Sequence, residues 1–306
     1  MITMFNTLPS PDRLRRTARP TIIAVLSLAA AVLAGGCSMV KLGYGQASPF
    51  AFRWLDGYVD FDDAQSLRVR GGLDEWFAWH RRNQLPDYAE LLARAQAEAV
   101  ADITPERMCA WAGDVRGRIE SALERALPTI TEVLPTLTPT QITNIEKRQR
   151  EKNQEYREEF VQRDPVKRKR EAVKREIERA EGFYGPLDDR QRALVTRNVA
   201  ASPFDGEVAY SERVLRQQDA LAVIRRLAAT PIAREDAAAQ IRAYLRRVER
   251  SPREGYRAYA DRLLAHNCAF ASILHNATSA AQKRAAASKL KGYENALREL
   301  AAEGAG

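Results

Sequence analysis

The sequence is poor in the residues that build metal and redox sites. It contains three Cys and three His in 306 residues, and they show neither the paired-Cys spacing nor the His-Glu-x-x-His pattern of zinc sites. A glycine-rich phosphate loop and the Gly-x-Ser-x-Gly nucleophile pattern are also missing. We therefore expect no metal, no cofactor and no enzymatic activity.

Long apolar runs and low-complexity segments are scarce too. Sixteen Gly and 14 Pro are too few for a fibrous chain, and 45% hydrophobic with 29% charged residues is an ordinary globular composition. The composition therefore excludes a wholly disordered chain and a polytopic membrane protein. No segment alternates apolar and polar residues for long. This pattern favours an all-α fold.

The first forty residues predict export. Four arginines between positions 13 and 19 precede an apolar run over 22–34, which is shorter than the ~20 residues of a spanning helix. Gly35, Gly36 and Cys37 then resemble the bacterial lipobox, in which the Cys becomes the acylated amino terminus. This predicts a lipoprotein signal peptide over 1–36, a lipidated tether over 37–49 and a membrane anchor at Cys37. Ser38, in place of an Asp, favours the outer membrane. A secretory signal with an incidental Cys is the alternative.

Export bears on the two remaining cysteines, Cys109 and Cys268. They form an even pair in an oxidising compartment. A long-range disulfide between them is one interpretation, and two buried free thiols on helices is the other.

Recurrent capping signals predict the helix starts. An apolar residue is followed by Thr, Asp or Ser, often by Pro, and then by Gln or Glu, which is typical of a capping box with its hydrophobic staple. The predicted caps are Asp62, Thr104, Thr138, Asp188, Thr230, Ser251 and Ser279. Between them the apolar spacing is helical. We therefore predict an irregular multi-helix bundle, with one helical domain over 50–306 made of an aromatic-rich part (50–136), a charged helical pair (137–186) and C-terminal helices (187–306).

Aromatic residues are concentrated near the amino terminus. All four Trp and 11 of the 23 aromatic residues lie between Tyr44 and Trp111, so we expect this region to form the ordered core. Trp76, Trp79 and His80 share one helix face, and Trp79-His80-Arg81-Arg82 is the most site-like group, because its two guanidinium groups could bind an anion. The alternative is purely structural, with the Trp pair in the core, His80 a satisfied helical histidine and the arginines in solvent.

Residues 147–181 carry 13 basic and nine acidic side chains with few apolar ones between them. Asp164-Pro165 predicts a break, so we expect two helices that project into solvent or rest on a partner. The candidate partner-binding residues here are Arg148, Tyr156, Lys167 and Arg168. Although the chain has a net charge of +8, its export and interleaved acids argue against nucleic acid.

Two resemblances bear on function. The segments Trp54-Leu55-Asp56-x-Tyr58-Val59-Asp60-Phe61-x-x-x-Gln65, Trp79-His80-Arg81 and Leu85-Pro86-x-Tyr88 resemble a family of uncharacterised proteobacterial lipoproteins, known as a domain of unknown function. That resemblance implies a helical lipoprotein and no particular activity. Residues 137–141 (Leu-Thr-Pro-Thr-Gln) and 187–191 (Leu-Asp-Asp-Arg-Gln) are similar to the paired Leu-Thr-x-x-Gln motifs of the periplasmic Spy/CpxP chaperones, which hold unfolded clients.

The combined expectation is an outer-membrane-anchored periplasmic lipoprotein that binds proteins, either as a chaperone-like envelope factor for unfolded clients or with an envelope protein as partner. The alternative is a structural or assembly lipoprotein that docks on an envelope complex. The oligomeric state is left open.

Overall fold

A computed structural model describes residues 43–161 and 164–304. In these ranges the chain forms eleven α-helices and no strand, which confirms the all-α prediction. The predicted signal peptide and Cys37 lie outside the described residues. None of the eleven helices combines the length and hydropathy needed to cross a bilayer.

The helices follow one another with short connections. They are α1 (Ala47–Val59), α2 (Asp63–Trp79), α3 (Leu85–Glu98), α4 (Pro105–Val133), α5 (Pro139–Phe160), α6 (Pro165–Tyr184), α7 (Asp189–Ala201), α8 (Gly206–Ala229), α9 (Arg234–Glu249), α10 (Glu254–Asn276) and α11 (Ala280–Glu303). A π-helical turn, His80–Gln84, joins α2 to α3, and a short 3₁₀ turn, Leu134–Thr136, follows α4. The helix α1 begins at Ala47, three residues before the predicted start of the helical domain.

Four of the predicted caps form complete capping boxes. At Asp62, Thr138, Asp188 and Ser279 the side-chain oxygen accepts the N–H of the Gln three residues on, and that Gln accepts the N–H of the cap residue. Thr104 caps α4 without the reciprocal bond.

Two predicted helix starts are wrong. The first helical residues are Arg234, not the residue after Thr230, and Glu254, not the residue after Ser251. The Ser251 hydroxyl instead accepts the N–H of Arg253 at 3.2 Å, so it closes a turn ahead of the helix. A Ser or Thr oxygen stabilises either arrangement, and the local sequence does not distinguish them.

Two of the capping boxes meet face to face. The Gln65 side-chain amide donates to the carbonyl of Thr136 at 2.9 Å, and the Gln141 amide donates to the carbonyl of Asp60 at 2.8 Å. Each carbonyl lies two residues before the opposite cap. The two amides also bond each other at 2.6 and 3.2 Å, and both side chains are buried. The start of α2 is thereby fixed to the start of α5.

The same arrangement occurs a second time. The Gln191 amide donates to the carbonyl of Ala277 at 3.0 Å and the Gln282 amide to that of Pro186 at 2.9 Å, and the two amides bond each other. The start of α7 is therefore fixed to the start of α11. The two motifs that the chaperone resemblance singled out each pair with another partner.

The junction between α2 and α3 contains a feature that the sequence did not reveal. The N–H of Leu85 donates to the carbonyl of His80, five residues back. Pro86 has no N–H to donate. The wider turn places Pro86 in the first turn of α3, where a backbone N–H has no partner within the helix and is not required. The helix therefore continues through a proline that would otherwise end it.

Three clusters of buried side chains form the core. One unites α1, α2, the end of α4, α5 and α8, a second joins α4, α8 and α9, and a third joins α6, α7 and α10. The aromatic-rich segment supplies Phe52 to the first cluster, yet its Trp54 is 61% exposed. The expectation that this segment forms the core is thus only partly right, because aliphatic residues from the rest of the chain supply most of it.

The charged helices α5 and α6 form with the predicted break, but they do not project as a pair. α5 packs against α1 and α8, whereas α6 packs against α7 and α11. The first half of α5 is packed against the body through the buried side chains of Ile142 and Ile145. The end of α6 is packed through those of Ala180 and Tyr184. The few apolar residues lie near the helix ends, so only residues 164–170 are continuously exposed.

A disulfide joins α4 to α10. Cys109 and Cys268 are 159 residues apart in sequence, and their Cα atoms lie 5.3 Å apart. Of the two interpretations left open, the structure shows the bridge.

Candidate functional site

The π-helical turn carries an aromatic cluster around His80. The imidazole stacks on Trp76 with ring centroids 4.7 Å apart, and Tyr88 meets it edge-on at 5.3 Å. The Tyr44 hydroxyl lies 2.8 Å from Nδ1 of His80. The Trp76 ring N–H donates to the carbonyl of Ala122 at 2.9 Å, which fixes the cluster to α4.

Burial dominates the electrostatics of this cluster. It lowers the pKa of His80 to about 4 and raises that of Tyr44 to about 12. The imidazole and the phenol are therefore both neutral at neutral pH. The Trp76–His80 stack and the hydrogen bond to Tyr44 favour the structural interpretation of Trp76, Trp79 and His80.

A small cavity of about 300 Å³ adjoins the cluster. Its walls are formed by Tyr44, Gly45, Ser48, Asp74, Phe77, Ala78, Arg81, Arg82 and Gly304. The Arg81 guanidinium lies 5.2 Å from the Tyr44 ring, and Ser48 donates to Asp74 at 2.6 Å. The Asp74 carboxylate lines the cavity together with Arg81 and Arg82 and partly neutralises their charge.

A larger groove of about 660 Å³ lies between the second half of α5, the start of α6 and the start of α8. Its walls are formed by Arg150, Asn153, Gln154, Arg157, Glu158, Val161, Lys167 and Tyr210. We call this the basic groove, since it contains three cations and one carboxylate. Its volume is within the range of ligand-binding clefts.

Close packing of α5 against α8 forms the floor of the basic groove. A Cβ atom on Gly206 would lie 2.3 Å from the Phe160 carbonyl, so only glycine permits the approach of the two helices. The Tyr156 ring contacts Phe160 at 4.7 Å and Tyr210 at 6.1 Å. Asn153 binds Gln217 through reciprocal amide bonds, which fixes the register of α5 on α8.

The cations of the basic groove are only loosely neutralised. Arg150 is 4.0 Å from Glu146, which also pairs with Arg225, and Arg157 is 3.9 Å from Glu207. Both arginines are exposed, so each pair contributes little and is screened by salt. The Arg157 guanidinium also lies 4.9 Å over the Tyr210 ring. The groove therefore combines positive charge with an aromatic surface.

Comparison with known proteins yields one family. Residues 57–249 match the family described as "Family of unknown function (DUF6279)", which is more than half of the chain. The chain belongs to this family. No curated protein and no solved structure matches it. The expected membership of an uncharacterised family is thus confirmed, while the similarity to the Spy/CpxP chaperones receives no support.

The basic groove lies entirely within the DUF6279 region. Cys268 and Gln282, which complete the disulfide and the second glutamine pair, lie beyond it. Among the residues that the structure describes, no group of three or more His, Cys, Asp or Glu side chains is arranged to hold a metal ion.

The structure separates the candidate residues predicted from the sequence. Trp76, Trp79, His80 and Arg81 do come together in the aromatic cluster, far along the chain from the others. The remaining four were predicted as candidate partner-binding residues of the charged helices, and each occupies a different environment.

Of these four, only Lys167 lines the basic groove. Tyr156 is buried beneath it, which corrects its prediction as a contact residue, because its ring fills the space between α5 and α8. Arg148 instead donates to the carbonyl of Gly57 at 2.9 Å and pairs with Glu151. Arg168 is exposed at the start of α6.

Sequence reasoning missed Arg150, Arg157 and Tyr210. The first two are seven residues apart, so they lie on one face of α5, and this spacing was a usable signal. Tyr210 comes from α8 and only the tertiary fold brings it to the groove.

Proposed function

We propose that this DUF6279 protein is a lipid-anchored periplasmic protein that binds an acidic segment of another protein in the basic groove. One observation carries the proposal. The cations Arg150, Arg157 and Lys167 line the groove beside the Tyr210 ring, and the two arginines form only long ion pairs, of 4.0 and 3.9 Å. No catalytic role is proposed.

The chemistry of the groove favours a protein segment with both carboxylate and apolar side chains. Guanidinium groups bind carboxylates in a bidentate manner, and a ring such as Tyr210 packs against apolar side chains. An open groove between helices suits an extended segment or one side of a helix. The interspersed Glu158 and Glu207 disfavour a polyanion such as nucleic acid.

The anchoring part of the proposal rests on the sequence. The lipobox-like Gly35-Gly36-Cys37 after the apolar run supports cleavage before Cys37, acylation of that Cys and retention at the periplasmic face of the outer membrane. Intact-mass measurement of the membrane-extracted protein tests this: an acylated chain starting at Cys37 is expected. A Cys37→Ala variant that remains in the outer-membrane fraction would contradict the anchor.

Photo-cross-linking in growing cells tests the groove. A photoreactive amino acid in place of Gln154, which lines the groove, is expected to capture a protein partner. The same substitution at Arg190, exposed on α7, serves as the matched control. Adducts of equal yield and pattern at both positions would contradict specific binding in the groove.

An aggregation assay distinguishes the two kinds of partner. If the groove holds unfolded clients, the purified chain suppresses light scattering by an aggregating client. If it docks on one folded envelope component, scattering is unaffected and position 154 yields a single stoichiometric adduct. The absence of both results would refute the proposed function.

A further inference from the structure

The outer face of α1 exposes two large aromatic side chains. Phe50 and Trp54 are 57% and 61% exposed, and their spacing of four residues places them on one helix face. The exposed Arg53 lies between them, with its guanidinium 4.7 Å from the Phe50 ring. The opposite face of α1 buries Phe52 and Val59 in the first core cluster, so the aromatic pair lies outside the buried core.

The surroundings of this face contain charges of both signs. Arg148 of α5 donates to the carbonyl of Gly57, one turn after Trp54, and pairs with Glu151. Asp56, which accepts the N–H of Phe61, lies on α1, and Asp60 follows the end of that helix. The face is therefore amphipathic and not strongly basic, and its distinguishing feature is the exposed aromatic pair.

The segment before α1 limits which partners can contact the outer face of α1. Tyr44 is held to the body by its bond to His80 and by its edge contact with Phe77 at 5.8 Å. Cys37 precedes Tyr44 by only seven residues, and seven residues span at most about 25 Å. An acyl chain on Cys37 would therefore hold this part of the molecule close to the bilayer.

We infer that the outer face of α1, comprising Phe50, Arg53 and Trp54, lies on the phospholipid surface of the membrane in which Cys37 is anchored. The inference rests on the anchoring part of the proposed function. Tryptophan and other aromatic rings favour the interface between headgroups and acyl chains, and Arg53 suits the lipid phosphates. The short tether makes the contact intramolecular, at an effective concentration of the order of millimolar. A surface with only a weak affinity for lipid is then sufficient to keep α1 on the bilayer.

This arrangement orients the molecule. With α1 on the membrane, the tether emerges beside Tyr44, and the body is fixed at the bilayer instead of moving freely at the end of a flexible linker. The contact thus sets which surfaces of the protein face the periplasm.

Quenching by brominated phospholipids tests the inference. The acylated full-length mature protein, purified from membranes, is reconstituted into vesicles of phosphatidylethanolamine and phosphatidylglycerol with brominated acyl chains. Tryptophan fluorescence is measured on the vesicle fraction recovered by flotation. We expect strong quenching in the wild type and loss of most of it in Trp54→Phe, because Trp54 is the tryptophan that contacts lipid.

Trp111→Phe is the matched control. Trp111 is partly buried on α4, where its ring N–H donates to Glu98, so this variant is expected to retain the quenching. Both variants keep an aromatic ring, and circular dichroism verifies that they are folded.

The outcomes separate the two claims. Flotation with no quenching, or with quenching that Trp54→Phe leaves unchanged, overturns the membrane contact and leaves the anchor intact. Failure of the wild type to float with the vesicles overturns both. The first of these results is also the one expected if the face binds a protein partner and not lipid.

Discussion

The paired glutamines that join α2 to α5 provide a quantitative test of the fold. In Gln141→Ala, the N–H of Thr138 loses its partner at 2.9 Å, and the carbonyl of Asp60 loses its partner at 2.8 Å. The buried amide of Gln65 also loses the Gln141 side chain. An unsatisfied buried polar group costs ~1–3 kcal/mol and a capping bond ~1 kcal/mol. We expect the free energy of unfolding to fall by about 3 kcal/mol in total.

Urea unfolding with the disulfide intact measures this change. The midpoint should fall by about 1 M for a slope of about 3 kcal/mol/M, with the slope itself unchanged. Gln218→Ala is the matched control, because Gln218 is exposed on α8 and an exposed substitution usually costs less than about 0.5 kcal/mol. The double variant Gln65→Ala with Gln141→Ala should cost less than the sum of the single variants, since each single variant leaves the other amide unpaired. Equal stability of Gln141→Ala and Gln218→Ala, or strict additivity of the pair, would refute this account.

Three further predictions concern stability. Replacing Cys109 and Cys268 by Ser opens a loop of 159 residues and should reduce the free energy of unfolding by up to about 5 kcal/mol, measured by urea titration; an unchanged midpoint would exclude a formed bridge. Burial lowers the pKa of His80 from 6.5 to about 4, so the unfolded chain binds more protons between these values and stability falls as the pH drops through this window. His80→Asn should flatten that dependence, and an unaltered pH profile would contradict it. Gly206→Ala should lower the melting temperature because its Cβ would collide with the Phe160 carbonyl, whereas Gly255→Ala, with open space around it, should leave it unchanged or raise it; similar effects of the two would count against the close approach.

What could be predicted from the sequence was local. The caps at Asp62, Thr138, Asp188 and Ser279 involve residues three positions apart, so the motif contains the whole interaction. The pairing of Gln65 with Gln141 joins residues 76 positions apart, and no local pattern specifies it. The π-helical turn at His80 similarly depends on how Pro86 is accommodated within a continuing helix.

In the candidate site, too, local features could be predicted from the sequence and contacts made by the tertiary fold could not. Lys167 was identified from charge density alone, yet the basic groove exists because Gly206 allows α8 to approach α5, and Tyr210 then completes it. Tyr156 illustrates the converse: it was predicted as a partner-binding residue of the charged helices, and it is instead buried between α5 and α8.

The central claim is that the cations of the basic groove bind a protein partner, and the yield of cross-linked adduct from position 154 tests it most directly. The variant with Arg150, Arg157 and Lys167 replaced by Glu should lose about tenfold or more of the adduct, because reversed charges repel an acidic segment. A second variant, with the exposed Arg190, Arg226 and Arg284 replaced by Glu, carries the same change in net charge and should retain the wild-type yield. Equal yields from the two variants would contradict the account.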